Sequence, residues 1–242
     1  MVPAQLPEHP APLRDAASVI LLREREQVLE VFLLRRVSGM AFAGGMSVFP
    51  GGGVDERDSE ASIAWAGPGP AWWAEQFDCS QTLASALVCA AVRETFEESG
   101  VLLAGEDERS VVADTAGFAA QRRALVDREL SLAGFLDEAG LVLRADLLRP
   151  WANWLTPEAE PRRYDARFFV AEVPLGQRAD GATTEADNVA WQSPEQALQD
   201  WREGRRGLLP PTWVSLAELA AQVSLAAVLA AQRTVTPIMP KV

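Results

Sequence analysis

A group of three glutamates within residues 93–101 constrains this chain more than any other feature of its sequence. The segment reads Arg-Glu-Thr-Phe-Glu-Glu-Ser-Gly-Val, with carboxylates at Glu94, Glu97 and Glu98. Residues three and four positions apart share one face of a helix, so these carboxylates would be neighbours. Like charges at this spacing destabilise a helix unless a positive charge compensates them, and a hard divalent cation with oxygen ligands does so. The segment predicts a helix with a metal-binding face; the alternative is a solvated acidic face in an acidic chain.

The sequence on either side of the glutamates favours the metal-binding interpretation. Gly100 fits the left-handed position that commonly ends a helix, and Ser80 or Thr82 suits the N-cap. Upstream, the glycine-rich stretch Phe49-Pro50-Gly51-Gly52-Gly53 directly follows an apolar run over residues 46–49. An apolar run, a glycine-rich turn and a capped acidic helix together indicate a built site.

These residues resemble the signature of the Nudix hydrolases. That signature is Gly, five residues, Glu, seven residues, and then Arg-Glu-U-x-Glu-Glu-x-Gly-U, where U is a bulky apolar residue. Gly52 matches the opening glycine, Asp58 stands at the first Glu position, and Thr95 stands where an aliphatic residue is usual. Residues 59–92 separate Asp58 from Arg93, so the signature is interrupted by an insertion.

The interruption points to one branch of that family. The chain also carries Trp-Ala-Asn-Trp-Leu-Thr-Pro at 151–157 and Pro-Arg-Arg-Tyr-Asp-Ala-Arg-Phe-Phe at 161–169. Together with the glycine-rich entry, these segments are similar to the branch containing the peroxisomal coenzyme A diphosphatases of animals and their bacterial relatives. The resemblance runs from about residue 17 to about residue 215. It implies a metal-dependent hydrolase that cleaves a diphosphate linkage in a nucleoside diphosphate derivative, most naturally coenzyme A or acyl-coenzyme A.

The resemblance also implies a fold. We expect an α/β (α+β) chain, the Nudix α/β/α sandwich with a mixed sheet between helices, and extra helices at the C-terminal end. Residues 1–14 are predicted to be a loose arm, and residues 15–242 a single domain with an insertion at about 59–80. The tryptophans of the insertion either form an apolar wall for a pantetheine or acyl arm or cover an exposed edge of the core; the second is preferred.

Periodicity and turn residues predict the individual elements. Strands are expected at 17–22, 28–34, 151–156, 167–173 and 188–191. Helices are expected from about 80 to 99, over 119–138, from Ser193 onward, and over 215–232. Residues 35–47 are expected to form a loop or short strands.

The candidate site residues follow from the resemblance and from the chemistry of diphosphates. Glu94, Glu97 and Glu98 are expected to bind Mg²⁺ or Mn²⁺, which neutralises phosphate charge and acidifies bound water. Glu97 is expected to act as a metal ligand or as a base, and Arg93 to orient one of the three glutamates. Glu185 is a candidate general base. The predicted substrate-binding residues are Gly51, Gly52, Arg35, Arg36, Arg163 and Tyr164. The glycine backbone would complete the site, arginine forks suit phosphate oxygens, and Tyr164 could stack on a base. For the arginines the alternative is an ordinary surface or core position, and for Glu185 a solvated loop.

Composition narrows the classes of partner. The net charge of −12 argues against a nucleic acid held through its phosphates and against an anionic membrane surface. We expect a small-molecule diphosphate as the substrate and leave open whether the chain forms a homodimer.

The cysteines, Cys79 and Cys89, lack zinc-site spacing. A cytoplasmic location is expected, since no secretory or peroxisomal address is recognised. Two further functions stay open, a non-catalytic Nudix domain that senses a nucleotide-type ligand and an interaction protein with an acidic helix.

Overall fold

A computed structural model of the chain describes residues 9–40, 43–59 and 63–240. The strands are β1 Leu13–Arg25, β2 Val28–Arg36, β3 Met46–Val48, β4 Gly51–Gly53, β5 Trp65–Ala66, β6 Ala104–Gly105, β7 Val142–Arg144, β8 Arg149–Leu155, β9 Arg163–Glu172, β10 Ala186–Gln192, β11 Gly207–Leu208 and β12 Pro237–Ile238. The helices are α1 Pro70–Phe77, α2 Gln81–Ser99, α3 Ala119–Val126, α4 Leu132–Ala139, α5 Pro194–Arg202, α6 Pro210–Ala220 and α7 Leu225–Ala230.

The described strands form a large mixed sheet and a small one. The large sheet has the order β11-β3-β2-β1-β9-β8-β12, with β10 added beside β2 and β4 beside β1. Its central pair, β1 and β9, is parallel, while β1–β2 and β8–β9 are antiparallel. The small sheet has the order β5-β7-β6. The mixed sheet agrees with the expected fold class.

Helices cover both faces of the large sheet. Alternate residues of a strand point to opposite faces, so Val19 and Leu21 pack into one core and Ile20 and Leu22 into the other. The first core contains α2 and the buried residues of α1, α3 and α4. The second contains residues of α5, α6 and α7. The predicted α/β/α sandwich with extra C-terminal helices is therefore confirmed.

The expected strands are present, each beginning at or before its expected first residue, and two expected helices are each divided. Residues 119–138 form α3 and α4, because the chain turns at Arg128 (φ 60°) and Ser131 caps a new helix. Residues 215–232 are likewise split, because α6 ends at Ala220 and Ser224 caps α7. The single-helix predictions for these two segments were wrong. At the N-terminus, β1 begins at Leu13, inside the range expected for the arm; residues 1–8 lie outside the described residues.

The described part of the insertion packs into the first core. In α1, Trp73 is fully buried, with its ring 5.4 Å from that of Phe169 and stacked on Phe77 at 6.1 Å. Its indole Nε1 donates to the Pro68 carbonyl at 3.1 Å. Trp72 is 37% exposed. The main tryptophan of this helix thus covers the core, as the preferred interpretation states.

Two further observations concern helices and cysteines. Over the ranges that the structure describes, no helix has both the length and the apolar content that a membrane crossing requires. Cys79 and Cys89 are free thiols, and Cys89 is buried in the first core.

Candidate functional site

Helix α2 carries the three glutamates, and its two ends are fixed by local sequence. The Ser80 hydroxyl accepts a hydrogen bond from the Leu83 N–H at 3.2 Å, which caps the first turn. Gly100 adopts φ 74° and ends the helix, as predicted. Most of the helix is buried against β1 and α1, so its polar last two turns are held against the glycine-rich turn.

Arg93 is the centre of a buried ionic network. Its guanidinium forms a two-pronged pair with Asp58, at 2.9 Å from Nε to Oδ1 and 2.8 Å from Nη2 to Oδ2. It also donates to Glu94 Oε1 at 2.7 Å and, more distantly, to Glu97 at 3.4 Å. Its fourth partner is the Gly53 carbonyl, which accepts a bond at 3.0 Å. Arg93 and Asp58 are each only 4% exposed, so this pair ties the turn to the helix.

The glycine-rich turn lies directly on the glutamates. The Gly51 N–H donates to Glu98 Oε2 at 2.8 Å. A Cβ on Gly52 would lie 2.5 Å from Glu94 Oε1, so any side chain at this position would require the Glu94 carboxylate to move. Pairing of Gly51, Gly52 and Gly53 with residues 16–18 of β1 holds the turn in place. Gly51 and Gly52, predicted as site residues, thus contact the glutamates directly.

Burial dominates the electrostatics of the glutamates. Burial raises the pKa of Glu94 to about 7, against the opposing charge of Arg93. Burial also raises the pKa of Glu97, and it raises that of Glu98 well above its usual value, with the charge of Glu94 adding to the effect. For Arg93, burial alone would lower the pKa, but hydrogen bonding to Asp58 and the nearby carboxylates raise it overall. The carboxylates therefore outnumber the positive charge available to them.

Glu185 and Arg36 approach the same end of the helix. Arg36 Nη2 donates to Glu185 Oε2 at 2.9 Å, and the charges of both residues act on the pKa of Glu98. Glu185 remains half-exposed, with 51% of its side-chain surface accessible. The structure therefore brings the predicted base and one predicted phosphate-binding arginine to the glutamates.

A strap over residues 177–185 positions Glu185. The Gln177 amide bonds to both the N–H and the carbonyl of Leu102, at 2.8 and 2.9 Å. Arg122 links the strap to α2, because it donates to the Glu97 carbonyl at 3.0 Å and to Asp180 at 2.9 Å. These contacts fix the strap across the C-terminal end of α2.

Other predicted substrate-binding residues lie elsewhere. Arg35 alternates with Arg36 along β2 and forms an ion pair with Asp187 at 2.7 Å. Arg163 and Tyr164 begin β9, where they pair with Leu13 and Arg14 of β1. Leu13 is four residues along β1 from Ala17, the partner of Gly52, so about 13 Å separates the two positions at 3.3 Å per residue. The structure does not bring Arg163 and Tyr164 to the glutamates.

The donor set fits a hard divalent cation by its chemistry. Asp58, Glu94 and Glu97 contact the single guanidinium of Arg93, and Glu98 lies beside the Gly51 N–H. Carboxylate oxygens are the ligands that Mg²⁺ and Mn²⁺ prefer. As placed, however, Glu94 points to Arg93 and Glu98 to the Gly51 N–H. No three Asp, Glu, His or Cys side chains in the described ranges converge on a single point. Binding a cation here therefore requires rotation of at least one glutamate away from its present partner.

Sequence reasoning missed part of this arrangement. Asp58 was considered only as a replacement for a family glutamate, whereas the structure shows it as the buried partner of Arg93. Arg122 and Asp180 were not identified, and their separation along the chain left no local pattern to find. Gln177 was missed for the same reason. The only available signal was for Asp58, which lies in the Asp-x-x-Asp pattern of a capping box with Asp55.

Comparisons with known proteins point to one family. The family model of the NUDT19 Nudix domain matches residues 68–219. Putative nudix hydrolase 7 of Caenorhabditis elegans is 28% identical over 207 residues, covering 86% of this chain and 60% of that protein. Acyl-coenzyme A diphosphatase NUDT19 of Xenopus laevis is 25% identical over 228 residues, covering 78% and 59%. The chain thus spans about three-fifths of the length of these curated relatives.

A solved structure extends the agreement to the whole fold. The crystal structure of a NUDIX hydrolase from Alicyclobacillus acidocaldarius superposes with a TM-score of 0.78 and 28% identity. The match covers 93% of this chain and 98% of that one. The family model matches well over half of the sequence and includes the glutamate helix, so the chain belongs to the Nudix hydrolases, in the family defined by the NUDT19 Nudix domain.

Proposed function

We propose that this Nudix hydrolase is a metal-dependent diphosphatase that cleaves coenzyme A or acyl-coenzyme A at its diphosphate linkage. The observation that carries the proposal is the group of three glutamates on α2, of which Glu98 is buried, Glu98 and Glu94 lie against Gly51 and Gly52, and Glu94 and Glu97 contact Arg93. Nudix hydrolases generally use divalent metal ions. An excess of carboxylates over positive charge is the electrostatic setting in which such an ion is held.

The chain's own residues divide the work. Glu94, Glu97 and Glu98 would hold Mg²⁺ or Mn²⁺, which supplies charge neutralisation at the phosphates and a more acidic bound water. Arg93, fixed by its two bonds to Asp58, orients Glu94 and Glu97. Among the candidates for the base, Glu185 is half-exposed and fixed by Arg36, so its carboxylate can accept a proton from water in the site. Arg36 also has the charge and fork geometry for a phosphate oxygen.

The substrate class rests on the relatives. Two of them, from Xenopus laevis and Gallus gallus, are named acyl-coenzyme A diphosphatase, the second being 28% identical over 264 residues. They support a coenzyme A derivative over other nucleoside diphosphate compounds. The insertion does not supply an apolar wall through Trp73, because that side chain is fully buried in the core.

The test is a cleavage assay on a panel of diphosphates. Coenzyme A, an acyl-coenzyme A, NADH, ADP-ribose and a nucleoside triphosphate are incubated with Mg²⁺, Mn²⁺ or excess chelator, and products are separated by chromatography. We expect 4′-phosphopantetheine and its acyl form to appear only with metal. Glu98→Gln should reduce turnover at least 100-fold while the circular dichroism spectrum is kept, because a buried ligand is lost. The exposed Glu172→Gln is the matched control.

Other outcomes would redirect the proposal. Metal-dependent cleavage of NADH or ADP-ribose, with coenzyme A untouched, would keep the mechanism and reject the substrate. Absence of all cleavage, with metal bound, would leave the ligand-sensing function in its place. Undiminished turnover in Glu98→Gln would reject the assignment of the glutamates.

A further inference from the structure

Arg163 is a buried cation that has no anionic partner among the residues described by the structure. Its side chain is 8% exposed, and its hydrogen bonds go to two backbone carbonyls, Thr156 O at 3.1 Å and Ala11 O at 3.0 Å. Within the described residues it forms no ion pair with an Asp or Glu. A buried charge is stable only when it is paired, because removal from water is costly.

The other buried arginines of the described chain behave differently. Arg93 pairs with Asp58 at 2.8 Å, Arg144 with Asp146 at 2.7 Å, and Arg167 with Asp15 at 2.6 Å. Each of these guanidiniums has a carboxylate to balance it. Among the described arginines of the same burial, Arg163 is the exception, and its charge is available to an anionic ligand.

The surroundings of Arg163 form a polar cavity with two more arginines. The cavity has a volume of about 230 Å³. It is lined by Ala11, Pro12, Arg14, Pro161, Arg162, Arg163 and Tyr164. Arg14 and Arg162 are exposed and, in the described part of the chain, also lack ion pairs with carboxylates. Three unbalanced guanidiniums in a chain of net charge −12 are therefore concentrated on one cavity.

We propose that this cavity, which we call the arginine cavity, binds a phosphomonoester group. A phosphomonoester carries close to two negative charges at neutral pH and offers three acceptor oxygens, which matches several guanidinium forks better than a single carboxylate does. At about 30 Å³ per water, the cavity has room for roughly eight water molecules, so it accommodates the phosphate with part of the organic group that bears it.

The arginine cavity is separate from the glutamate site. Its wall residues Arg163 and Tyr164 pair with Leu13 and Arg14, about 13 Å along β1 from the position beside Gly52. Two sources of the ligand have the same chemistry, a phosphomonoester at the far end of a substrate bound at the glutamates and a separate phosphorylated molecule. Binding itself does not depend on the proposed function.

Binding is tested on the full-length, metal-free protein by isothermal titration calorimetry. The probes are inorganic phosphate and a nucleoside 3′-monophosphate, with acetate as the control anion. We expect saturable binding of both phosphates and about tenfold or greater weakening in Arg14→Gln/Arg162→Gln, because charge-assisted bonds are lost. Arg123→Gln/Arg202→Gln removes the same charge from exposed arginines elsewhere and should leave the affinity unchanged.

Two results would overturn the proposal. One is equal phosphate affinity in the two double variants, which would mean that phosphate binding depends on the net charge of the protein and not on the arginine cavity. The other is lack of saturable binding by the wild-type protein. Arg163→Lys adds an independent measurement that keeps the buried charge, and it should weaken binding because the fork is lost.

Kinetics then separate the two sources, a step that rests on the proposed function. If the substrate supplies the phosphate, Arg14→Gln/Arg162→Gln should raise KM for coenzyme A while leaving KM for dephospho-coenzyme A unchanged. If a separate molecule is bound, both KM values should stay at their wild-type levels although phosphate binding is lost. The outcome of the calorimetry does not depend on this kinetic assay. Inactivity on coenzyme A would therefore leave the evidence for phosphate binding in the arginine cavity unchanged.

Discussion

At the scale of single residues, Asp55 shows how one carboxylate joins the glycine-rich turn to its surroundings. It accepts bonds from the Arg57 guanidinium and backbone N–H, and these contacts lower its pKa to about 2 from 3.8. A lowered pKa stabilises the fold above the ordinary pKa, and the contribution is lost as pH falls through about 2. The shift corresponds to about 2 kcal/mol for this mostly buried side chain.

Asp55→Asn should therefore destabilise the protein in a pH-dependent manner. In urea denaturation we expect a loss of about 2 kcal/mol in unfolding free energy at pH 7, because the ionic bonds to Arg57 are weakened. The difference from wild type should shrink as the pH is lowered from 4 towards 2. A gap that stays constant over this range would show that the charge of Asp55 is unimportant.

Asp58 tests the buried ion pair with Arg93. Asp58→Asn leaves the guanidinium without its main counter-charge, and loss of one partner from a buried pair typically costs about 3–5 kcal/mol. We expect that loss in urea denaturation with or without Mg²⁺, since Asp58 acts through Arg93. The neighbouring exposed Glu56→Gln serves as the control and should change stability by less than about 0.5 kcal/mol. Equal stability of the two variants would contradict the role given to Asp58.

The residues that sequence reasoning identified are those with a local pattern. Glu94, Glu97 and Glu98 share a helical face by their spacing, and Gly100 is identified by its position after the helix. Arg122 and Asp180 are 58 positions apart and meet only because α3 and the strap fold over the same helix end. Such a pair has no spacing rule. Identification of the strap's anchors therefore required coordinates.

At the scale of elements, α1 shows what the insertion contributes. Trp73→Ala removes a fully buried indole that packs on Phe77 and Phe169, so it should destabilise the protein by about 3–5 kcal/mol. Trp72→Ala is the adjacent control and should have a much smaller effect, since that ring is 37% exposed. Thermal and urea unfolding measure both variants. Similar losses for the two would mean that α1 is not held through its buried face.

The same contrast explains which elements were predicted. The long strands β1, β2, β8 and β9 alternate between two apolar cores, and this produces a pattern over many residues. By comparison, β5 and β6 each have two residues, too few for any period. The break between α3 and α4 also left no clear pattern, because Arg128, a non-glycine residue, takes the left-handed conformation there. Residue propensities therefore do not predict a turn that is made by a residue other than glycine.

At the scale of the whole molecule, metal binding and the stability of the fold are coupled through charge. The chain already carries −12, and burial raises the pKa of Glu94, Glu97 and Glu98. A carboxyl whose folded pKa is raised reduces stability as pH rises above its ordinary value of 4.5. A divalent cation opposes this effect, because it binds the folded, deprotonated site and not the unfolded chain.

We therefore expect Mg²⁺ to stabilise the wild-type protein at pH 8. At a concentration one hundred times its dissociation constant, the gain is about 2.7 kcal/mol and should disappear on addition of chelator.

Glu98→Gln should lose most of this gain in stability. Its metal-free form should nevertheless be at least as stable as the metal-free wild type, because an unfavourable buried charge has been removed. Differential scanning calorimetry with and without Mg²⁺ measures both quantities, with Glu172→Gln as the control. A metal-free Glu98→Gln protein less stable than wild type would instead assign Glu98 a structural role, through its bond to the Gly51 N–H. Retention of the full Mg²⁺ effect in that variant would place the ion away from α2.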